Sequence, residues 1–163
     1  MKRPRILTRL CAITLLCSGG YLAAQGSSQV KEMSSRPAFI DLLKRMNGVY
    51  HWNAATKSYV FDQKAELERL LTGRDDRNDL IELADCIDDL QPSNSTLNGK
   101  QVPVGIICYQ ALTQLIYFEP TTQTGDVAKH WPGYIKPDAS QRQLKLAKRA
   151  WLKVIEAGKY SKL

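Results

Sequence analysis

The chain has 163 residues, 44% of them hydrophobic and 24% charged, a size and composition typical of one globular domain. Its formal net charge of +7 would suit a nucleic-acid partner, but four of the 23 basic residues and none of the 16 acidic residues lie in the first 24 positions. Because those positions have the pattern of a removable leader, the remaining chain carries only +3, which argues against nucleic-acid binding.

The N-terminal segment has the three parts of a secretory signal peptide. Residues 1–9 are basic, residues 10–16 are apolar but too few to span a bilayer, and small residues follow. We predict cleavage after Ala24, with Gly26 as the second choice, and therefore a periplasmic or secreted protein. An uncleaved N-terminal anchor is the alternative. Lipidation of Cys17 is disfavoured, because the bulky Leu16 precedes it.

Two cysteines remain in the mature chain. Cys11 and Cys17 leave with the signal peptide, whereas Cys86 and Cys108 enter an oxidising compartment, where an even number of cysteines favours a disulfide. Closing a loop of this length contributes about 3 kcal/mol to stability. Two buried free thiols are the alternative. A metal site is not expected, because neither cysteine has a Cys or His neighbour at ligand spacing.

The first half of the mature chain predicts two helices separated by an aromatic segment. Residues 25–36 are polar and Ser-rich, as in a flexible linker, and a short amphipathic helix begins at Pro37. Residues 48–61 are aromatic and β-branched, which suits either a small β-hairpin or an irregular aromatic loop. Asp62 is a good N-cap for a helix over residues 63–71.

The next two predicted helices each carry one mature cysteine. In residues 79–90 apolar and acidic residues alternate with helical spacing, which indicates one buried and one acidic face. The buried face is predicted to contain Leu80, Leu83, Ala84, Ile87 and Leu90. Asn98-Gly99 favours a tiny β-ribbon. The second helix begins near Pro103, and its apolar stripe is so broad that we expect a central, mostly buried helix.

The C-terminal part predicts a long connection and one last helix. Residues 121–140 exceed the usual loop length, so we expect Trp131 and Tyr134 to hold the connection against the helices. Asp138 or Ser140 then caps a helix that ends near residue 157.

These elements predict a mainly α fold: a compact bundle of four to five amphipathic helices with one or two small β-hairpins, cross-linked by one disulfide. The predicted organisation is a signal peptide over residues 1–24, a flexible linker over residues 25–36 and a single helical domain over residues 37–163.

Four stretches resemble a pattern in small, uncharacterised exported bacterial proteins. They are residues 85–89 (Asp-Cys-Ile-Asp-Asp), 97–112 (from Leu-Asn-Gly-Lys to Tyr-Gln-Ala-Leu), 131–134 (Trp-Pro-Gly-Tyr) and 147–151 (Ala-Lys-Arg-Ala-Trp). The resemblance covers residues 79–155 and implies a compact helical domain without transferable catalytic residues. The successive amphipathic helix pairs are also loosely similar to helical repeats.

Acidic and aromatic residues are the first candidates for partner binding. Asp85, Asp88 and Asp89 suit a cation or a basic partner, although a solvated helix face is the more frequent outcome and the spacing is not that of a calcium loop. In the long connection, His130, Trp131 and Tyr134 are candidates. His130 and His51 lie in no catalytic or metal pattern, and such histidines are more often structural.

The last helix supplies a basic face that includes Arg142 and Arg149, whereas residues 66–89 are rich in carboxylates. This separation of charge suits intramolecular pairing, docking of a charged partner or attraction to an anionic envelope surface. The sequence leaves the three interpretations open.

No catalytic signature is present, so the expected function is a non-enzymatic binding or interaction module in the bacterial envelope. We expect an envelope protein as partner, with contact to the membrane surface left open, and no cofactor, metal or nucleic acid. One alternative is an immunity or inhibitor protein against an envelope-active toxin. Another is a small envelope hydrolase that uses His130 or His51.

Overall fold

The computed structural model describes residues 36–119 and 131–163, which belong to one compact unit. In chain order these residues form α1 (Arg36–Arg45), β1 (Val49–Asn53), β2 (Ser58–Phe61), α2 (Lys64–Leu71), α3 (Arg77–Cys86), β3 (Pro92–Leu97), β4 (Lys100–Pro103), α4 (Val104–Leu115), β5 (Ile116–Tyr117), α5 (Gln141–Glu156) and β6 (Ser161–Lys162). The predicted signal peptide lies outside the described residues, as does most of the predicted linker. Those two assignments and the domain boundary stay predictions.

The prediction of a mainly α fold is wrong, because the strands form a shared sheet rather than separate small hairpins. Four strands pair in the order β2-β1-β3-β4, and β5 pairs with β6. β1 runs parallel to β3, with Val49 opposite Thr96 and Tyr50 opposite Leu97. This parallel pairing joins the two predicted ribbons into a four-stranded mixed sheet. The fold is therefore mixed α/β.

Strand β3 is held in the interior by serine hydroxyls. Ser93 and Ser95 are fully buried. The Ser95 hydroxyl accepts a hydrogen bond from the Gly48 amide at 3.2 Å and donates one to the Met46 carbonyl at 2.7 Å. The Ser93 hydroxyl donates to the Val102 carbonyl at 2.8 Å. Because both buried hydroxyls have partners, a polar segment with the composition of a loop forms an inner strand.

Residues 48–61 form the β-hairpin β1–β2 rather than an irregular loop. Asp62 closes the open end of this hairpin, because its Oδ1 accepts a hydrogen bond from the Val49 amide at 2.7 Å. The N-cap position of α2 falls to Gln63, whose side chain makes no capping bond. The prediction of Asp62 as the cap of α2 is therefore wrong.

Helix α3 begins and ends earlier than predicted. Asp76 caps it by accepting hydrogen bonds from the amides of Asn78 at 2.8 Å and Asp79 at 2.9 Å, and the helix ends at Cys86. Ile87 is still fully buried beyond the helix, but Leu90 is 45% exposed. The predicted helix, which ran to Leu90, is therefore about one turn too long at its C-terminal end.

Helix α4 is central and mostly buried, as predicted. Its fully buried residues include Val104, Ile107, Cys108, Ala111 and Leu112, and it packs against α1, α2 and α3. The predicted disulfide is confirmed: Cys86 and Cys108 are bonded, with their Cα atoms 5.8 Å apart. The bond fixes the end of α3 to the first turns of α4.

Ser140, one of the two predicted caps, is the N-cap of helix α5. Ser140 and Gln143 form a reciprocal capping box. The apolar face of α5 is buried through Leu144, Ala147 and Trp151, and the helix packs on α3. Within the described ranges, none of the helices has the length and apolar content that crossing a bilayer requires.

Candidate functional site

The predicted acidic group at the end of α3 forms its contacts within the molecule. The amine of Lys148 on α5 lies 3.0 Å from Asp88 Oδ1 and 3.3 Å from Asp85 Oδ1, and it also donates to the Asp85 carbonyl at 2.9 Å. Partial burial alone would lower the pKa of Lys148, but hydrogen bonds and charge from Asp88 and then Asp85 outweigh it and raise that pKa. Asp89 accepts a hydrogen bond from the Gln91 amide at 2.8 Å. These carboxylates therefore hold α3 to α5 and shape a turn.

Trp131 belongs to an aromatic cluster that packs the long connection onto α5. Its ring centroid lies 4.9 Å from those of Phe118 and Trp151 and 5.1 Å from that of Tyr134. The Trp151 indole donates to the Gly133 carbonyl at 3.0 Å, and the Tyr134 hydroxyl donates to the Phe118 carbonyl at 3.4 Å. Trp131 is half-buried and Tyr134 is exposed, so part of the cluster lies at the molecular surface.

Arg142 and Arg149 lie on a continuous charged surface, here called the α5 basic face. It consists of Arg142, Lys145, Arg149 and Lys153, which are all exposed. Spacings of three and four residues place them on one side of the helix, over a length of about 16 Å. Within the described residues no ion pair joins any of the four to a carboxylate.

An apolar groove borders the α5 basic face. Leu146 is 41% exposed in the middle of that face. Beside it, a shallow depression of about 540 Å³ is lined by Phe118 and Trp131 and, on its α5 side, by Arg149 and Lys153. The surface thus combines positive charge with a concave apolar groove. Such a surface is complementary to a partner that is acidic and partly apolar.

A second concave surface, which the sequence did not indicate, is here called the aromatic cleft. It has a volume of about 300 Å³ and lies between the β1–β2 hairpin, α4 and residues 135–137. Its aromatic and charged lining residues are Tyr50, Trp52, Tyr59, Tyr109, Lys57 and Lys136. The alternation of residues 50 and 52 was visible in the sequence, but without the sheet nothing placed them opposite α4.

Both tyrosines of the aromatic cleft that lie close to the core stay protonated to high pH. Burial, with a smaller contribution from Tyr109, raises the pKa of Tyr50 well above its ordinary value. Burial also raises the pKa of Tyr109 to about 12, although a backbone hydrogen bond with Ile135 works against the shift. The Tyr50 hydroxyl is buried and has no hydrogen-bond partner among the described residues.

Of the two histidines, the structure describes only His51, and any role of His130 stays a prediction. His51 is exposed on β1, paired in register with Val60. His130 lies outside the described residues. Within residues 36–119 and 131–163, no three His, Cys, Asp or Glu side chains are grouped as metal ligands would be.

Comparison with known proteins gave no match. No family model matches the sequence, no curated protein is significantly similar to it, and no solved structure is significantly similar to its fold. The resemblance noted over residues 79–155 therefore stays a prediction.

Proposed function

We propose that this protein is a non-enzymatic binding module of the cell envelope that docks an acidic protein surface on the α5 basic face. The disulfide between Cys86 and Cys108 supports a location in an oxidising compartment outside the cytosol. A signal peptide over residues 1–24 that delivers the protein there is part of the proposal.

One observation carries the proposal: the acidic residues near α3 form ion pairs within the molecule, whereas the residues of the α5 basic face form none within the described residues. Asp85 and Asp88, at and just beyond the end of α3, pair with Lys148. Asp75 pairs with Lys162, and Asp79 pairs with Arg74. The four cations of the α5 basic face have no such partner within the described residues. Intramolecular pairing thus accounts for the acidic surface and leaves the basic surface available for another molecule.

A protein surface fits the α5 basic face better than a lipid surface does. A protein side chain can enter a concave apolar groove, whereas the planar surface of an anionic membrane does not match that shape. Here Leu146 and the adjoining groove with Trp131 and Phe118 offer apolar contact beside the charges. Specific protein interfaces combine such an apolar centre with a charged rim.

The test compares capture of envelope proteins by three forms of the mature chain. The first is wild type, and the second is Arg142→Gln/Arg149→Gln. The third is Lys64→Gln/Lys100→Gln, a control that removes the same charge from exposed positions elsewhere. We expect wild type and the control to capture the same acidic protein, and the α5 variant to lose it.

Two results would contradict the proposal. One is capture that does not differ between the α5 variant and the control, because the basic face would then play no part. The other is binding of wild type to anionic lipid vesicles with no protein captured, because the partner would then be a membrane. If the captured protein is a wall-degrading enzyme, an activity assay of the complex shows whether the module is an inhibitor or immunity protein. Turnover of a wall or ester substrate by the purified protein would overturn the non-enzymatic assignment.

A further inference from the structure

The aromatic cleft has the lining of a ligand site, and it shares no residue with the α5 basic face. Its walls are the Trp52–Tyr59 pair, with ring centroids 5.2 Å apart, and Tyr109 of α4. Tyr50, only 2% exposed and stacked on Phe61 at 4.6 Å, is the most buried of its aromatic residues. A volume of about 300 Å³ is at the lower end for ligand pockets, so the cleft accommodates one side chain rather than a large molecule.

The charged and unpartnered groups of the cleft select an anionic ligand. Lys57 and Lys136 line it and are exposed, and its lining contains no carboxylate. The buried Tyr50 hydroxyl has no partner among the described residues, although buried hydroxyls nearly always have one. A neutral phenol and two ammonium groups all donate hydrogen bonds, so the complementary ligand group is an acceptor with negative charge.

The open side of the cleft indicates how the ligand is attached. Trp52 is 52% exposed, and Tyr59 is only partly buried. A chain that leaves the cleft on this side meets no wall, whereas a free small molecule is normally enclosed over most of its surface.

We propose that the aromatic cleft binds the C-terminal residue of a peptide, with an apolar or aromatic side chain between Trp52 and Tyr109 and its carboxylate near Tyr50, Lys57 and Lys136. The recognition of a terminal carboxylate is a recurrent mode of peptide binding. This inference does not depend on the α5 basic face.

The test is a titration of the ¹⁵N-labelled mature protein with N-acetyl-Ala-Ala-Phe, its C-terminal amide and N-acetylphenylalanine. The indole N–H of Trp52 and the amides of Lys57 and Tyr59 report binding by nuclear magnetic resonance. We expect saturable shifts with a Kd below about 1 mM for the free acid, and binding about tenfold weaker for the amide. N-acetylphenylalanine should bind about as tightly as the peptide, because the rest of the chain leaves through the open side of the cleft. If the peptide instead binds more than about tenfold more weakly than N-acetylphenylalanine, the peptide assignment is overturned in favour of a free small molecule. Equal binding of acid and amide, or no saturable shift, overturns the carboxylate site.

Two variants separate a binding role from a structural one. Lys57→Gln/Lys136→Gln removes the charges, so the preference for acid over amide should shrink to less than about threefold. Tyr50→Phe removes only the hydroxyl, so affinity for the acid should fall by about fivefold while thermal stability does not fall, because that hydroxyl has no partner to lose. Loss of stability in Tyr50→Phe would show a structural partner and overturn its assigned role. Arg142→Gln/Arg149→Gln is the control, in which peptide binding should not change.

Discussion

The substitution Gly105→Ala tests how closely the start of α4 packs against the chain at the end of α3. The amide of Gly105 donates to the Asp89 carbonyl at 3.0 Å, which holds the start of α4 against the end of α3. An alanine Cβ at this position would overlap the carbonyl oxygen of Ile87 and lie 2.7 Å from its carbonyl carbon. The Ile87 carbonyl is backbone, and Cys86 beside it is cross-linked to Cys108, so the neighbouring chain has little freedom to move away.

The expected cost of this substitution follows from two opposing effects. Overlap in a packed core costs about 3 kcal/mol. Alanine favours a helix over glycine by about 1 kcal/mol, so the net loss of unfolding free energy is about 2 kcal/mol. For a domain of this size the midpoint temperature falls by about 8 °C.

Urea and thermal unfolding of the mature protein measure the loss, and hydrogen exchange locates it. The amide of residue 105 should lose protection in the variant, because the helices have to separate. A variant as stable as wild type, with that amide still protected, would refute the close packing of α4 on the end of α3.

Three further predictions concern stability. Reduction of the disulfide, or Cys86→Ser/Cys108→Ser, should lower the unfolding free energy by about 3 kcal/mol, and a stable protein with two free thiols in non-reducing mass analysis would contradict it. Burial raises the pKa of Tyr109 to about 12. The contribution of its neutral phenol to the unfolding free energy is therefore complete below about pH 10 and is lost as the pH rises to about 12. The alkaline fall in stability should therefore be shallower in Tyr109→Phe, as followed by urea midpoints at several pH values, and an identical fall would contradict the shift. Lys148→Ala should cost about 1 kcal/mol by thermal unfolding, and that cost should be clearly smaller in an Asp85→Asn/Asp88→Asn background, whereas additive losses would contradict the pairing.

Local patterns in the sequence predicted the elements that depend on local physics. The apolar stripe of α4 identified the central helix, because a helix with so few polar positions has to be buried. The cap preference of Asp and Ser offered Asp138 or Ser140 for the start of α5, and Ser140 is the cap. Cysteine counting after removal of the leader identified the pair Cys86 and Cys108.

The sheet was missed because its decisive pairing is distant in sequence and polar in composition. β1 and β3 are about 47 residues apart, and Ser95 contributes its hydroxyl rather than an apolar side chain. The start of α3 was misplaced because Asp76, upstream of the apolar stripe, supplies the cap. Propensity and periodicity contain neither kind of information.

The candidate surfaces were predictable to different degrees. The exposure of Arg142 and Arg149 was predictable, because the amphipathic pattern of α5 is enough to place both residues on the solvent-facing side of the helix. That Lys148 lies against Asp85 and Asp88, and so engages the acidic group, required the packing of α5 on α3. The aromatic cleft needed three separate segments to meet, and no segment indicates it by itself.

The central claim, that the α5 basic face docks an acidic protein, is tested most directly by the affinity of the captured partner at two salt concentrations. For wild type and for Lys64→Gln/Lys100→Gln, calorimetry should give similar Kd values that weaken as salt rises. For Arg142→Gln/Arg149→Gln the Kd should be weaker by at least about tenfold, with a smaller dependence on salt. Equal affinities and equal salt dependence in all three forms would contradict the claim.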